Sequence, residues 1–142
     1  MLNDSERPLN DRGYSNANSI SQHFTEIPEL IITSPAVRAV STALIFARNF
    51  NYNPSTILIK EELYETSVKE YLSVIRKTDN SVQSLMLFAH NPIISDVADL
   101  LTKTLPMEMP TCCMAGIQFN TYTWKDIKAG SGNLFLFDYP KK

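Results

Sequence analysis

Apolar positions along this chain keep two rhythms in turn, a helical spacing and short unbroken runs. Ala17, Ile20, Phe24 and Ile27 recur at helical spacing, which predicts a first helix from Arg12 to Phe24, capped by Asn10 or Asp11 and ended by Pro28. Leu30 to Thr33 is a short apolar strand. Ser34 and Pro35 follow as a cap-plus-proline start, opening a helix to Asn49 on Val37, Val40, Leu44 and Ala47. Thr56 to Ile59 reads as another strand. Ser67 with Glu70 makes a capping box before a helix that carries Val68, Tyr71, Leu72 and Ile75 on one side. Leu85 to Ala89 is wholly apolar, the pattern of a strand covered on both faces. Asn91 and Pro92 then start a helix whose stripe is Ile94, Val97, Ala98, Leu101 and Leu105. Pro106 and Pro110 break the chain. Met114 to Thr121 and Leu134 to Phe137, separated by a 128–132 turn, read as two late strands that can form a hairpin.

Strands alternating with helices at short intervals predict an α/β domain with a mostly parallel sheet. The chain opens on a helix with no strand before it, so a first central strand is missing from the pattern. At 142 residues, 44% hydrophobic and 20% charged, the chain is one globular domain able to bury a core. A formal charge of -2 gives no footprint for nucleic acid or an anionic membrane. No apolar run approaches the roughly 18–20 residues of a membrane span, and the polar start MLNDSERPLNDRG has no signal-peptide core. Cys112 and Cys113 are adjacent and cannot staple distant segments, so a reducing, cytoplasmic setting is the default expectation.

Two residues stand where open α/β sheets bind ligands, at the carboxyl end of a strand and the amino end of a helix. His90 follows Leu85 to Ala89, and a helix start there offers free N–H groups to an anion. The alternative is a histidine that fills the turn and bonds a carbonyl. Arg38 lies in the first turn of its helix, where the dipole disfavours a cation by about 0.3–1 kcal/mol. Its fork of donors matches phosphate oxygens, although a surface arginine can equally pair with a carboxylate or bend into water. The two turns are parallel in design, so both side chains can point at one anion. Arg7 is a loop cation within reach of the same rim, or simply solvated. Glu65 ends the run EELYE near another strand end and is a candidate general acid, unless it belongs with Glu61 and Glu62 to a solvated face. His23 has no ligand-spaced partner, and two histidines with an adjacent cysteine pair do not make a zinc site. The sequence has no phosphate-cradling glycine loop and no G-x-S-x-G elbow.

Taken in order, ERPLNDRG, ITSPAVRAVSTA, ELYE, LFAHNPIISDVADLL, MPTCCMAGIQF and LFLFDYPKK resemble the SixA-type phosphohistidine phosphatases of the histidine phosphatase (phosphoglycerate mutase-like) superfamily. The resemblance implies a three-layer α/β/α sandwich. It also implies nucleophilic catalysis, in which a histidine of an N-terminal Arg-His motif is transiently phosphorylated while a second histidine and two arginines hold the phosphoryl oxygens. By motif match His90 is the second histidine and Arg38 one arginine. Glu65 aligns with a proton donor of the mutase relatives. No metal and no organic cofactor is implied, and the partner is a phosphorylated substrate, a phosphohistidine protein or a small phosphoester. The Arg-His motif and its strand should precede ERPLNDRG and are not in this sequence. The expectation is therefore an N-terminally truncated domain that is inactive as given, with a slot beside the strands carrying Arg38 and His90. The rival expectation is a non-catalytic phosphate- or phosphoprotein-binding remnant.

Overall fold

The computed structural model describes residues 8–24, 26–110 and 112–140. The Asn10 side chain caps helix α1 (Asp11–His23) by accepting a hydrogen bond from the Gly13 N–H at 2.8 Å. Strand β1 (Leu30–Thr33) leads to helix α2 (Val37–Phe50), β2 is the two-residue Leu58–Ile59, and α3 is Val68–Arg76. Strand β3 (Leu85–Phe88) leads to α4 (Ile93–Thr102), followed by β4 (Met114–Phe119) and β5 (Gly132–Asp138). The first three strands form a parallel sheet in the order β2-β1-β3, while β4 and β5 pair antiparallel as a separate ribbon with a bulge at Gly116/Ile117.

The pleat sorts apolar side chains into two layers. On one face Ile31 is fully buried against Ala43 and Ala47 of α2, with Met86 and Phe88 beside it. Ala17 and Ile20 of α1 extend that layer against Ile45, Phe46 and Phe50. On the other face Ile32 joins Tyr71, Val74 and Ile75 of α3 and Val97 and Leu101 of α4, with Leu85 and Leu87 packed against them. Helices therefore cover both faces of the sheet, as a three-layer α/β/α arrangement requires. The Tyr71 hydroxyl donates to the Leu63 carbonyl at 3.2 Å and ties α3 to the 3-10 turn Glu61–Leu63.

Several element ends differ from the sequence expectation, and tertiary hydrogen bonds explain the two at Ser34 and Asn91. Ser34 does not cap α2. Its N–H donates to the Phe88 carbonyl at 3.0 Å, extending the sheet, and the helix starts after Ala36 with no side-chain cap. Asn91 does not cap α4 either, because its side chain is spent elsewhere and Pro92 precedes the first helical residue. The Ser67–Glu70 box forms no side-chain cap bond. The stripe toward Leu105 stops at Thr102, where Lys103 turns left-handed at φ 59° and its N–H donates to Asp99. The Thr56 to Ile59 strand shrinks to two exposed residues, because Pro54–Thr56 winds into a 3-10 turn.

The last two strands do pair, but the connection between them is longer than a hairpin turn. It carries a 3-10 turn at Trp124–Asp126 and folds over α3. The Trp124 indole donates to the Val82 carbonyl at 2.8 Å, and the Arg76 Nε donates to the Lys125 carbonyl at 2.9 Å. Gly130, at φ 72°, donates its N–H to the Leu100 carbonyl at 2.9 Å. The ribbon is thus pinned to α3 and α4. No helix among the described residues is long and apolar enough to cross a membrane.

Candidate functional site

Helices α2 and α4 both begin at the carboxyl end of a central strand, and neither has a side-chain cap. No side chain satisfies their first-turn N–H groups, although the Ile94 N–H of α4 is taken by the His90 carbonyl. Arg38 is the second residue of α2 and exposed; His90 is half-buried and lies two residues past the end of β3. Both line one cavity of about 1090 Å³ that lies between β3 and β4. The two residues that the sequence singled out at separate turns thus share a hollow. The His90 Nδ1 is buried and has no hydrogen-bond partner among the described residues. A buried imidazole nitrogen without a partner is costly unless something arrives to pair with it.

A closed set of hydrogen bonds holds the His90 turn. The Asn91 Nδ2 donates to the Met109 carbonyl at 2.8 Å, the Ser95 Oγ donates to the Asn91 Oδ1 at 2.7 Å, and the Met109 N–H donates to the Ser95 Oγ at 3.0 Å. The Ile94 N–H also donates to the His90 carbonyl at 3.2 Å, and the Asn91–Pro92 peptide is cis. Ser95 is buried and one helical turn beyond Asn91, so the ring locks the start of α4 to the segment that leads into β4. Ser95 and Met109 were not among the residues that the sequence suggested, and Asn91 was expected only as a helix cap; the i, i+4 pair Asn91–Ser95 is the one local signal for the ring. Ser95→Ala removes a donor from Asn91 and an acceptor from the Met109 N–H. It is expected to cost about 1–3 kcal/mol in urea unfolding; a loss within error of zero would show that the ring carries no weight.

The remaining candidates fall elsewhere. Glu65 is exposed at φ 43° and does not line the cavity, so the structure does not bring it to Arg38 and His90. Arg7 lies outside the described residues. His23 is exposed in the last turn of α1. Cys112 and Cys113 are free thiols on the cavity wall. Burial raises both, and with the charge of Asp138 nearby it pushes Cys113 up to about 12, which keeps that thiol protonated at neutral pH. Among the described residues no group of three or more His, Cys, Asp or Glu could hold a metal ion.

Strand β3 departs from expectation in an informative way. All four of its residues are half-buried rather than enclosed. Among the described strands none pairs with its edge away from β1, and that edge borders the cavity.

The crystal structure of SixA from Agrobacterium tumefaciens, assigned as a phosphohistidine phosphatase, matches with a TM-score of 0.79 and 27% identity over 98% of this chain and 87% of that one. SixA from Nakamurella multipartitia, similarly assigned, matches at TM-score 0.79 and 17% identity over 99% of this chain and 88% of that one. The protein histidine phosphatase SixA complexed with tungstate matches at TM-score 0.80 and 21% identity over 98% and 88%. These last two share the fold. No curated protein matches the chain. Residues 2–81, more than half of the chain, match the model of the histidine phosphatase superfamily, branch 1. With α/β layers of the expected kind and an arginine and a histidine on one hollow, the chain belongs to the histidine phosphatase superfamily.

Proposed function

We propose that this chain is the phosphate-holding body of a phosphatase acting on phosphohistidine or a small phosphomonoester, and that its nucleophilic histidine lies outside these 142 residues. The observation that carries the reading is the placement of Arg38 and His90 on one cavity, each beside an uncapped helix start. The guanidinium offers two parallel donors to phosphoryl oxygens. The orphaned imidazole nitrogen of His90 gains the partner it lacks when an oxyanion arrives. Both helix starts add positive potential where negative charge gathers in transfer. Neither histidine of the chain fits the role of nucleophile. His23 is exposed at the far end of α1, and His90 is used for holding. Glu65 makes no contact in the resting pocket, and a phosphoramidate leaving group needs little help from an acid. Two half-buried free thiols fit a reducing compartment, so we place the protein in the cytoplasm.

Titration with inorganic phosphate or tungstate tests the holding role. With two histidines in the chain, the His90 ring signals are separable from those of His23 by NMR. Oxyanion binding is expected to move His90 and leave His23 in place. Arg38→Ala is expected to weaken binding by roughly 10- to 100-fold, the worth of a charge-assisted hydrogen bond. His90 signals that ignore both oxyanions would overturn the reading.

A further inference from the structure

We infer that Cys112 and Cys113 form a capture site for a trivalent arsenical, held by both sulfurs on the wall of the cavity that Arg38 and His90 share. The chain has two cysteines, and they are neighbours, both free and both half-buried. In extended backbone, adjacent side chains leave on opposite sides. Cys112 departs from that rule. It takes the left-handed conformation, φ 60°, in a turn closed by the Cys113 N–H donating to the Pro110 carbonyl at 3.1 Å. The alternation is suspended there, and both residues line the same cavity wall. Neither sulfur is fastened. The Cys112 thiol donates to the Gly13 carbonyl at 4.0 Å and the Cys113 thiol to the Met114 carbonyl at 3.7 Å, weak bonds that a bond to sulfur easily replaces.

The donor set selects the ligand. Structural zinc wants four ligands, and among the described residues no third histidine, cysteine or carboxylate joins the pair in a metal-holding group. Two soft sulfurs match a soft centre with two exchangeable positions, which a monosubstituted trivalent arsenical has. In the step, two S–H and two As–O bonds break and two As–S bonds form. Each thiol proton leaves on a hydroxyl oxygen as water, arsenic stays trivalent and keeps its third substituent, and no oxidant is consumed. Burial raises both thiols, and with the charge of Asp138 it pushes Cys113 up to about 12. Such protonated sulfurs are slow toward peroxides and disulfides, which need a thiolate. Capture needs no standing thiolate, because the departing hydroxyl takes the proton. Once the first As–S bond has formed, the neighbouring sulfur closes the ring at a high effective concentration. A bound organoarsenic group then occupies the hollow that Arg38 and His90 line and keeps an oxyanion out. That blocking rests on the phosphatase reading, but capture does not.

The probe is phenylarsine oxide, whose hydrate carries two As–OH groups, added to the 142-residue chain kept reduced with a phosphine. Intact mass spectrometry is expected to show one phenylarsenic group per chain with two hydrogens lost, retained in millimolar glutathione and stripped by ethanedithiol. Cys112→Ser and Cys113→Ser, each checked for fold by circular dichroism, are expected to weaken that retention by roughly 100-fold or more, the gain of a closed ring over a single bond. An adduct that glutathione strips from the unsubstituted chain would overturn the site, as would equal retention by either variant. The first of these outcomes needs no substitution, so a variant that fails to fold leaves the test standing. A phosphate titration followed at the His90 ring separates capture from blocking. Loss of the His90 response in the loaded chain upholds both, whereas an unchanged response upholds capture and removes blocking. A His90 ring that ignores phosphate before loading removes the phosphatase reading, and retention of the arsenical still decides the dithiol site.

Discussion

An aryl phosphate incubated with the 142-residue chain is expected to remain unhydrolysed, and no acid-labile phosphoenzyme should accumulate. In the proposed reading Arg38 and His90 hold phosphoryl oxygens, and neither replaces an attacking nitrogen placed in line with the leaving group. Supplying an apolar strand that ends in Arg-His is expected to raise turnover by roughly 10⁴–10⁶-fold, the range lost when a covalent catalyst is deprived of its nucleophile. Single-turnover assays of the chain with and without that strand, read by phosphoenzyme trapping, decide it. Phosphoenzyme-forming hydrolysis by the chain alone would show that a nucleophile is already present.

Phe46→Ala is expected to destabilise the fold by about 3–5 kcal/mol, the usual cost of emptying a buried aromatic site. Phe46 is 4% exposed and sits edge-on to Phe50 and Phe88, with ring centroids 5.7 and 5.1 Å apart. It thereby joins α2 to β3, so its removal loosens the wall that carries His90 as well as the α1/α2 layer. Against a total stability of about 5–15 kcal/mol for a domain, such a loss approaches unfolding. Urea denaturation followed by circular dichroism gives the value. A change below 1 kcal/mol would mean that the slot lets Phe88 collapse into the vacancy.

The strands and helices that carry the site could be read from spacing alone, because burial imposes its period on the sequence. Leu30 to Thr33 matches β1 residue for residue, and Asn10 caps α1 as its side chain suggests. The positions of Arg38 and His90 after strand ends were legible for the same reason. What could not be read depends on partners distant in sequence. Ser34 looks like a cap until Phe88 takes its N–H, and Asn91 looks like one until Met109 and Ser95 claim its amide. Local capping signals lose to such bonds because the distant partner would otherwise be a buried polar group left unpaired. Leu85 to Phe88 shows the same limit from the other side. Its composition is that of an enclosed strand, and its half-exposure follows from the open edge beside it.

The bonds from Trp124 to Val82, Arg76 to Lys125 and Gly130 to Leu100 fix the β4–β5 ribbon, and with it the cavity wall that it forms, against α3 and α4. A ligand entering that cavity meets a wall immobilised when the domain folded, so little of its binding energy is spent on ordering the protein.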